Sequence, residues 1–372
     1  MRYRTLGRTG LRVSELAMGG AFITRRAAAR ADGIAAVRRA LELGLNYVDT
    51  AAGYSDSEEV LGLALDGARQ PYTLSTKLGG RPEPFDARDR DLLRRSVDES
   101  LRLLKRDTLD ILMIHEPDRP GQYDWFSDWE RFYGPVIDLL ADLRREGVIR
   151  FTGIGGTTAY VMADIIASGQ FDVLLTAFNY SLLWQEALHA VLPAAKRHDM
   201  GVVAGSPLQQ GALARVYRDE VEHGARWLSP PRRAQYRALY AFVDELGIGL
   251  PELALRFVLS NPDISCTLTG ARSVAEVEMN VAAAERGPLP DDVLARIAEI
   301  AAMVPFRPFD EPFVLPFVRD YRGPAHAGDV APTRVIADLR ARLAAHGGTR
   351  RRTESGEASG QQGATNEHIG NV

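Results

Sequence analysis

Two rhythms of apolar and polar positions alternate along most of the chain. Short apolar, β-branched runs recur near 16–20, 46–50, 72–77, 110–115, 149–155, 172–178, 201–206 and 264–269, and each has the length and composition of a buried strand. Between them lie segments with apolar residues at helical spacing. Ile34, Val37 and Leu41 mark one over 32–44, which Gly44 would stop, and Leu93, Val97, Leu101 and Leu104 form a stripe over 86–105. The same spacing predicts helices over 57–67, 134–146, 157–168, 184–198 and 273–284, and a longer helical region over 231–260 interrupted at 247–251.

Eight strand–helix steps in about 280 residues predict a (β/α)8 TIM barrel. Residues 2–16 alternate around Gly7-Arg8-Thr9-Gly10 and predict a β-hairpin ahead of it. A doubly wound sheet is the alternative. It would use fewer strands and usually a G-x-G-x-x-G turn, which Gly19-Gly20-Ala21-Phe22 does not match.

Beyond 300 the rhythm stops. A loop rich in Pro and Phe, including Phe306 and Phe309, reads as one that packs on the barrel, so the barrel with this loop is assigned 1–325. A C-terminal extension follows, with a terminal helix in 326–346 carrying Val335, Leu339 and Leu343. The stretch 347–372 has almost no apolar content and is expected to be disordered.

Composition adds mainly exclusions. Hydrophobic residues at 45% and charged residues at 25% are ordinary for a globular enzyme, and a formal charge of -4 gives no nucleic-acid footprint. The single cysteine, Cys266, excludes an internal disulfide framework and suits a reducing compartment. The N-terminus lacks the apolar core of a signal peptide and no run of 18 apolar residues occurs, so no membrane partner is expected and the cytoplasm is the default.

Three of the strands end in ionisable residues of different chemistry: Asp49, Lys77 and His115, with Tyr54 five residues past the first. Taken singly, each has an ordinary structural explanation: a cap, a solvated lysine, a satisfied core histidine, a loop anchor. Together at consecutive strand ends they would face one another across the mouth of a parallel barrel, where catalysis concentrates. The set suits hydride transfer to a carbonyl, which builds negative charge on oxygen and needs a proton donor. Tyr54 is a donor, Lys77 would lower its pKa, Asp49 would hold the lysine, and neutral His115 would orient the oxygen. No metal is required, and this ligand set is poor for zinc.

These residues resemble the catalytic tetrad of the aldo-keto reductases. The resemblance covers roughly 1–300 and includes Tyr3-Arg4-Thr5-Leu6-Gly7-Arg8-Thr9-Gly10, Asp49-Thr50-Ala51-Ala52-Gly53-Tyr54, 147–155, Ser206-Pro207-Leu208 and Gly270-Ala271-Arg272-Ser273. His115-Glu116-Pro117-Asp118 and Tyr180-Ser181-Leu182-Leu183 look similar to the aldose 1-dehydrogenase branch. The resemblance implies an NAD(P)-dependent oxidoreductase interconverting a carbonyl (aldehyde, ketone or sugar) and an alcohol. It implies nucleotide contacts at Gly19, Gly20, Asn179, Ser206, Leu208, Gly211, Gly270, Ala271, Arg272, Ser273 and Asn280. Arg272 could pair with a 2′-phosphate and Glu276 would repel one, a balance that leans slightly to NADP over NAD.

The chain departs from the family at the nicotinamide end. Gly155-Gly156 stand where a Ser-Asn pair is common, and Gly205 where an aromatic often stacks. Those losses keep a second reading open, a nucleotide-binding regulatory subunit with little turnover. A glycoside hydrolase using Asp49 and Glu116 is a third. Phe22, Trp125, Trp129 and Trp227 are candidates for a substrate pocket whose aromatic faces and acids would suit a sugar.

Overall fold

In a computed structural model of the chain, eight parallel strands close into a barrel in the order β10-β3-β4-β5-β6-β7-β8-β9. The strands are β3 (Leu16–Gly19), β4 (Tyr47–Asp49), β5 (Thr73–Leu78), β6 (Leu109–His115), β7 (Ile149–Gly156), β8 (Val173–Ala177), β9 (Gly201–Gly205) and β10 (Cys266–Thr269). The structure describes residues 1–225, 227–306, 311, 312, 315 and 317, all within the compact unit Met1–Val330. The helix and tail expected beyond 326, and Phe309, lie outside the described residues.

Side chains on a strand alternate between faces, and that period separates two cores. Inside the barrel, Ala17, Tyr47, Ile111, Met113, Val173 and Val203 pack with Cys266. Leu6 and Val13 close this cluster from the antiparallel hairpin β1 (Tyr3–Thr5) and β2 (Arg12–Ser14), so the hairpin plugs one end. Val48, Leu74, Leu112, Ile114 and Ile154 point outward and pack with the helices.

The helices are α1 (Arg30–Glu42), α2 (Ser57–Ala64), α3 (Arg90–Leu104), α4 (Pro135–Arg145), α5 (Ala159–Ala167), α6 (Val191–Arg197), α7 (Pro230–Leu246), α8 (Leu250–Leu259), α9 (Val274–Glu285) and α10 (Asp291–Ala302). Three differ from expectation. Helix α3 starts at 90 rather than 86 because Asp89 caps it, its side chain accepting from the N–H groups of Asp91 and Leu92. The helix expected over 184–198 breaks into a short turn, Glu186–Leu188, and α6. Pro193 carries no N–H to donate, and the restart places it in the first turn, where none is needed. Helix α10 follows the barrel rhythm and has no sequence counterpart above.

Candidate active site

Asp49, Lys77 and His115 fall on the same strand face as the inner core. Tyr47 and Asp49 point inward on β4, Ser75 and Lys77 on β5, and Ile111, Met113 and His115 on β6. Asp49 is in register with Ser75, Ser75 with Ile111, and Lys77 with Met113. Lys77 therefore lies two residues above Asp49, and His115 two above Lys77, so the three groups climb the barrel wall toward its C-terminal rim. The buried Lys77 Nζ donates to Asp49 Oδ2 at 2.5 Å and to the Thr50 carbonyl at 2.7 Å. Ser75 Oγ donates to Asp49 Oδ1 at 2.6 Å, so both carboxylate oxygens are held. Sequence reasoning missed Ser75, although its place two residues before Lys77 on one face could have found it.

Tyr54 reaches the group from the loop between β4 and α2, where its N–H donates to the Ala51 carbonyl and its own carbonyl accepts from Ser57. Its ring centroid lies 4.9 Å from Lys77 Nζ and 5.4 Å from the His115 ring, which it meets edge-on. The structure thus brings all four residues together.

Protonation follows from burial and neighbours. Burial works against the charge on Lys77, but Asp49 and Tyr54 outweigh it, and the net shift is upward: the group is an ammonium. The Tyr54 pKa is raised, contrary to the lowering expected from the sequence. Burial dominates, Lys77 opposes it, and Asp49 and Glu116 add to the rise. The phenol therefore keeps its proton at neutral pH. Burial, with Lys77 and Arg119, lowers His115 to about 3, so the imidazole is neutral. Its carbonyl accepts from Trp125 Nε1 at 3.0 Å.

A histidine lowered in the folded state is protonated more readily when unfolded. Its contribution to stability is present above about pH 6.5 and is lost as pH falls toward about 3. The melting temperature of the wild type should fall more steeply than that of His115→Gln between pH 7 and pH 5. Parallel slopes in thermal melts would show that His115 is not held neutral.

From Asp49 and Tyr54 an elongated cavity of about 460 Å³ runs over the ends of β3 and β8–β10 to the first turns of α9. Gly19, Gly20 and Phe22 line it beside the tetrad, then Ser206, Leu208 and Gly211, and finally Gly270, Ala271, Arg272 and Asn280. The turn after β9 has left-handed backbone at Ser206, Gln209, Gln210 and Gly211, a geometry that can turn N–H groups toward one side. At Gly205 a Cβ would stand 3.2 Å from that of Ala177, and at Gly270 it would collide with the Phe22 ring, so both glycines allow close packing within the cavity wall. A long, partly apolar cleft with a turn able to cradle phosphate fits a dinucleotide.

A family model described as the aldo/keto reductase family matches residues 15–302. The chain belongs to the aldo-keto reductase family. It is 35% identical over 291 residues to L-galactose dehydrogenase of Arabidopsis thaliana, covering 75% of this chain and 87% of that one. It is 27% identical over 331 residues to D-threo-aldose 1-dehydrogenase of a Pseudomonas species, covering 80% and 96%. Among solved structures, an aldo-keto reductase from Bacillus halodurans in its holo form superposes with a TM-score of 0.66 at 27% identity, covering 84% of this chain and all of that one. Membership makes the chain an oxidoreductase of the NAD(P)-using kind.

Several residues expected in this aldo-keto reductase site lie elsewhere. Asn179 is buried, donates to Thr176 Oγ1 at 3.0 Å and does not line the cavity. Ser273 is the N-cap of α9, accepting from the Glu276 N–H. Of the substrate candidates, Trp125 is fully buried beneath the β6 loop, and Trp129 packs edge-on against Phe126 and Phe132. Trp227 packs on Phe317. Their apolar area goes into loop cores. Phe22 stands on the cavity side with Gly270, while Phe306 is exposed.

Sequence reasoning also missed how the phosphate-type turn is supported. Tyr217 Oη donates to the Gly211 carbonyl at 2.9 Å, and Phe317 stacks on the Tyr217 ring at 4.8 Å. Nearby, the fully buried Arg232 pairs with Glu311 at 3.0 Å, donates to Gln235 and lies 4.4 Å over Trp184. Residues after the barrel are thereby joined to α7 and to the turn lining the cavity.

Among the described residues, no group of three or more His, Cys, Asp or Glu is placed to hold a metal ion. No helix among them is long and apolar enough to cross a membrane.

Proposed function

We propose that this chain interconverts a carbonyl and an alcohol on a sugar or related small molecule, using NAD(P) and Tyr54 as the proton donor. The single observation that carries the reading is the Lys77 ammonium held between Asp49 and the Tyr54 ring at the end of the elongated cavity. When bound, the nucleotide supplies or accepts hydride. The chain's own residues manage the proton. Tyr54 donates from its phenol as negative charge builds on the substrate oxygen, and Lys77 stabilises the phenolate left behind. Asp49 and the Thr50 carbonyl fix the ammonium, and neutral His115 orients the oxygen without contributing a charge of its own. In oxidation Tyr54 takes the proton back. The names of the two dehydrogenase relatives support a sugar as substrate. Fluorescence titration with NADH and NADPH, followed by turnover on a panel of aldoses and simple aldehydes, tests this. Tight nucleotide binding with no turnover across the panel would instead favour the regulatory reading.

The cofactor preference moves from the slight lean to NADP toward NAD. Arg272, on which that lean rests, is engaged by Glu276: Nη2 pairs with Oε1 at 2.6 Å and the backbone N–H donates to Oε2 at 2.8 Å. Glu276 also lines the cavity, where its carboxylate opposes a 2′-phosphate. Glu276→Gln should improve the NADPH-to-NADH affinity ratio by about tenfold, the scale of one charge-assisted contact. An unchanged ratio removes this pair from the discrimination.

A further inference from the structure

We propose that Glu116 selects hydroxylated substrates, its carboxylate accepting a hydrogen bond from the hydroxyl on the carbon next to the reacting one. The inference rests on the carbonyl–alcohol reading above. The cavity assigned to the nucleotide lies over β3 and β8–β10, on one side of Tyr54. The other side is built by the loops after β5 and β6. There the Tyr123 ring lies over Gly79 and Gly80, 3.1–3.2 Å from where a Cβ would stand, and Gly80 abuts Gly53, the neighbour of Tyr54. A substrate meeting the tetrad opposite the nucleotide enters through this half.

Glu116 belongs to that half by an unusual backbone. It follows His115, which faces the barrel interior, so in a continuing strand its side chain would turn out toward the helices. Instead its φ is 49°, a conformation that costs any residue but glycine, while its N–H still donates to the Gly155 carbonyl at 2.6 Å. The strand is anchored at that point and its side chain leaves the alternation.

The carboxylate also differs from three acids withdrawn from solvent that are tied to an arginine, and from Asp118, whose Oδ2 accepts from the Thr157 and Thr158 N–H groups and the Thr158 hydroxyl. Glu15 is clasped by Arg4, Asp172 by Arg8 and Glu311 by Arg232, at 3.0–3.2 Å. For Glu116 the nearest approach of Arg119 is 3.8 Å, and Arg119 Nε donates to Thr157 Oγ1 at 2.8 Å. The Glu116 side chain is only 18% exposed, so its acceptors are turned from bulk water without a close cation. Burial raises its pKa, Asp118 adds to the rise, and Arg119, Gln122 and Lys77 oppose it. The Gln122 side chain already donates one hydrogen bond to the carboxylate. An ionised carboxylate has capacity for about four, and a neutral hydroxyl donor can use one of those that remain. A substrate with an anionic group beside the reacting carbon would be repelled.

The test compares wild type, Glu116→Gln and Glu116→Ala on an aldose, its 2-deoxy counterpart and a short unsubstituted aldehyde. Nucleotide affinity, followed by fluorescence, reports folding, and the near-isosteric Gln variant guards against a collapsed loop. The ratio of kcat/KM for the aldose over the 2-deoxy sugar should fall about 10- to 100-fold in both variants, mainly through KM. Turnover with the same ratio in all three proteins overturns the inference alone. Absence of turnover by nucleotide-bound wild type on every substrate overturns the reaction reading and the inference with it.

Discussion

Tyr54→Phe should lower kcat for carbonyl reduction by about 10²–10⁴-fold, the usual worth of a positioned general acid, with nucleotide affinity essentially unchanged. The variant is clean because most of what Tyr54 does structurally belongs to its ring and backbone. The ring packs edge-on against His115 and faces the Lys77 ammonium, and a phenylalanine ring can keep both contacts. The turn into α2 is set by main-chain bonds at Ala51 and Ser57. What disappears is the hydroxyl, with its proton and its hydrogen bond to Lys77. Since the phenol pKa is raised by burial, the wild type should keep its donor charged with a proton across the neutral range. Stopped-flow single turnovers separate the chemical step from nucleotide release, and full activity in Tyr54→Phe would sink the mechanism.

Glu311→Ala should destabilise the fold by about 3–5 kcal/mol, because it leaves the fully buried Arg232 guanidinium without its counter-charge. Arg232 would keep Gln235 and the face of Trp184, neither of which neutralises it. Replacing both members, with Arg232→Met and Glu311→Leu, should recover much of the loss, since the cost is that of one orphaned charge rather than of the missing pair. Chemical denaturation of the two variants checks this. If the single variant loses less than about 1 kcal/mol, the pair is better solvated than its geometry implies.

Most of the fold was legible in the sequence because a parallel barrel repeats one local rule. Apolar runs such as 110–115 alternate with striped helices such as α3, and the tally of steps is nearly the architecture. The tetrad was legible for the same reason: period two and strand ends put Asp49, Lys77 and His115 on one rim. Distant geometry was not. Nothing local distinguishes Trp125, buried under its own loop, from an aromatic lining a pocket, because both sit in a polar loop at similar spacing. The sign of the Tyr54 shift was missed because desolvation depends on the whole surroundings, whereas Lys77 was visible as a neighbour. The Arg232–Glu311 pair spans 79 residues and leaves no periodic trace.

The support of the phosphate-type turn has a consequence for the order of assembly. Gly211 is held by Tyr217, and Tyr217 is stacked on by Phe317, a hundred residues later. A nascent chain can complete its eight strands by Thr269 while Tyr217 still lacks the stacked Phe317 ring. Capacity to hold nucleotide should therefore mature after the barrel closes, during synthesis of the segment that carries Glu311 and Phe317.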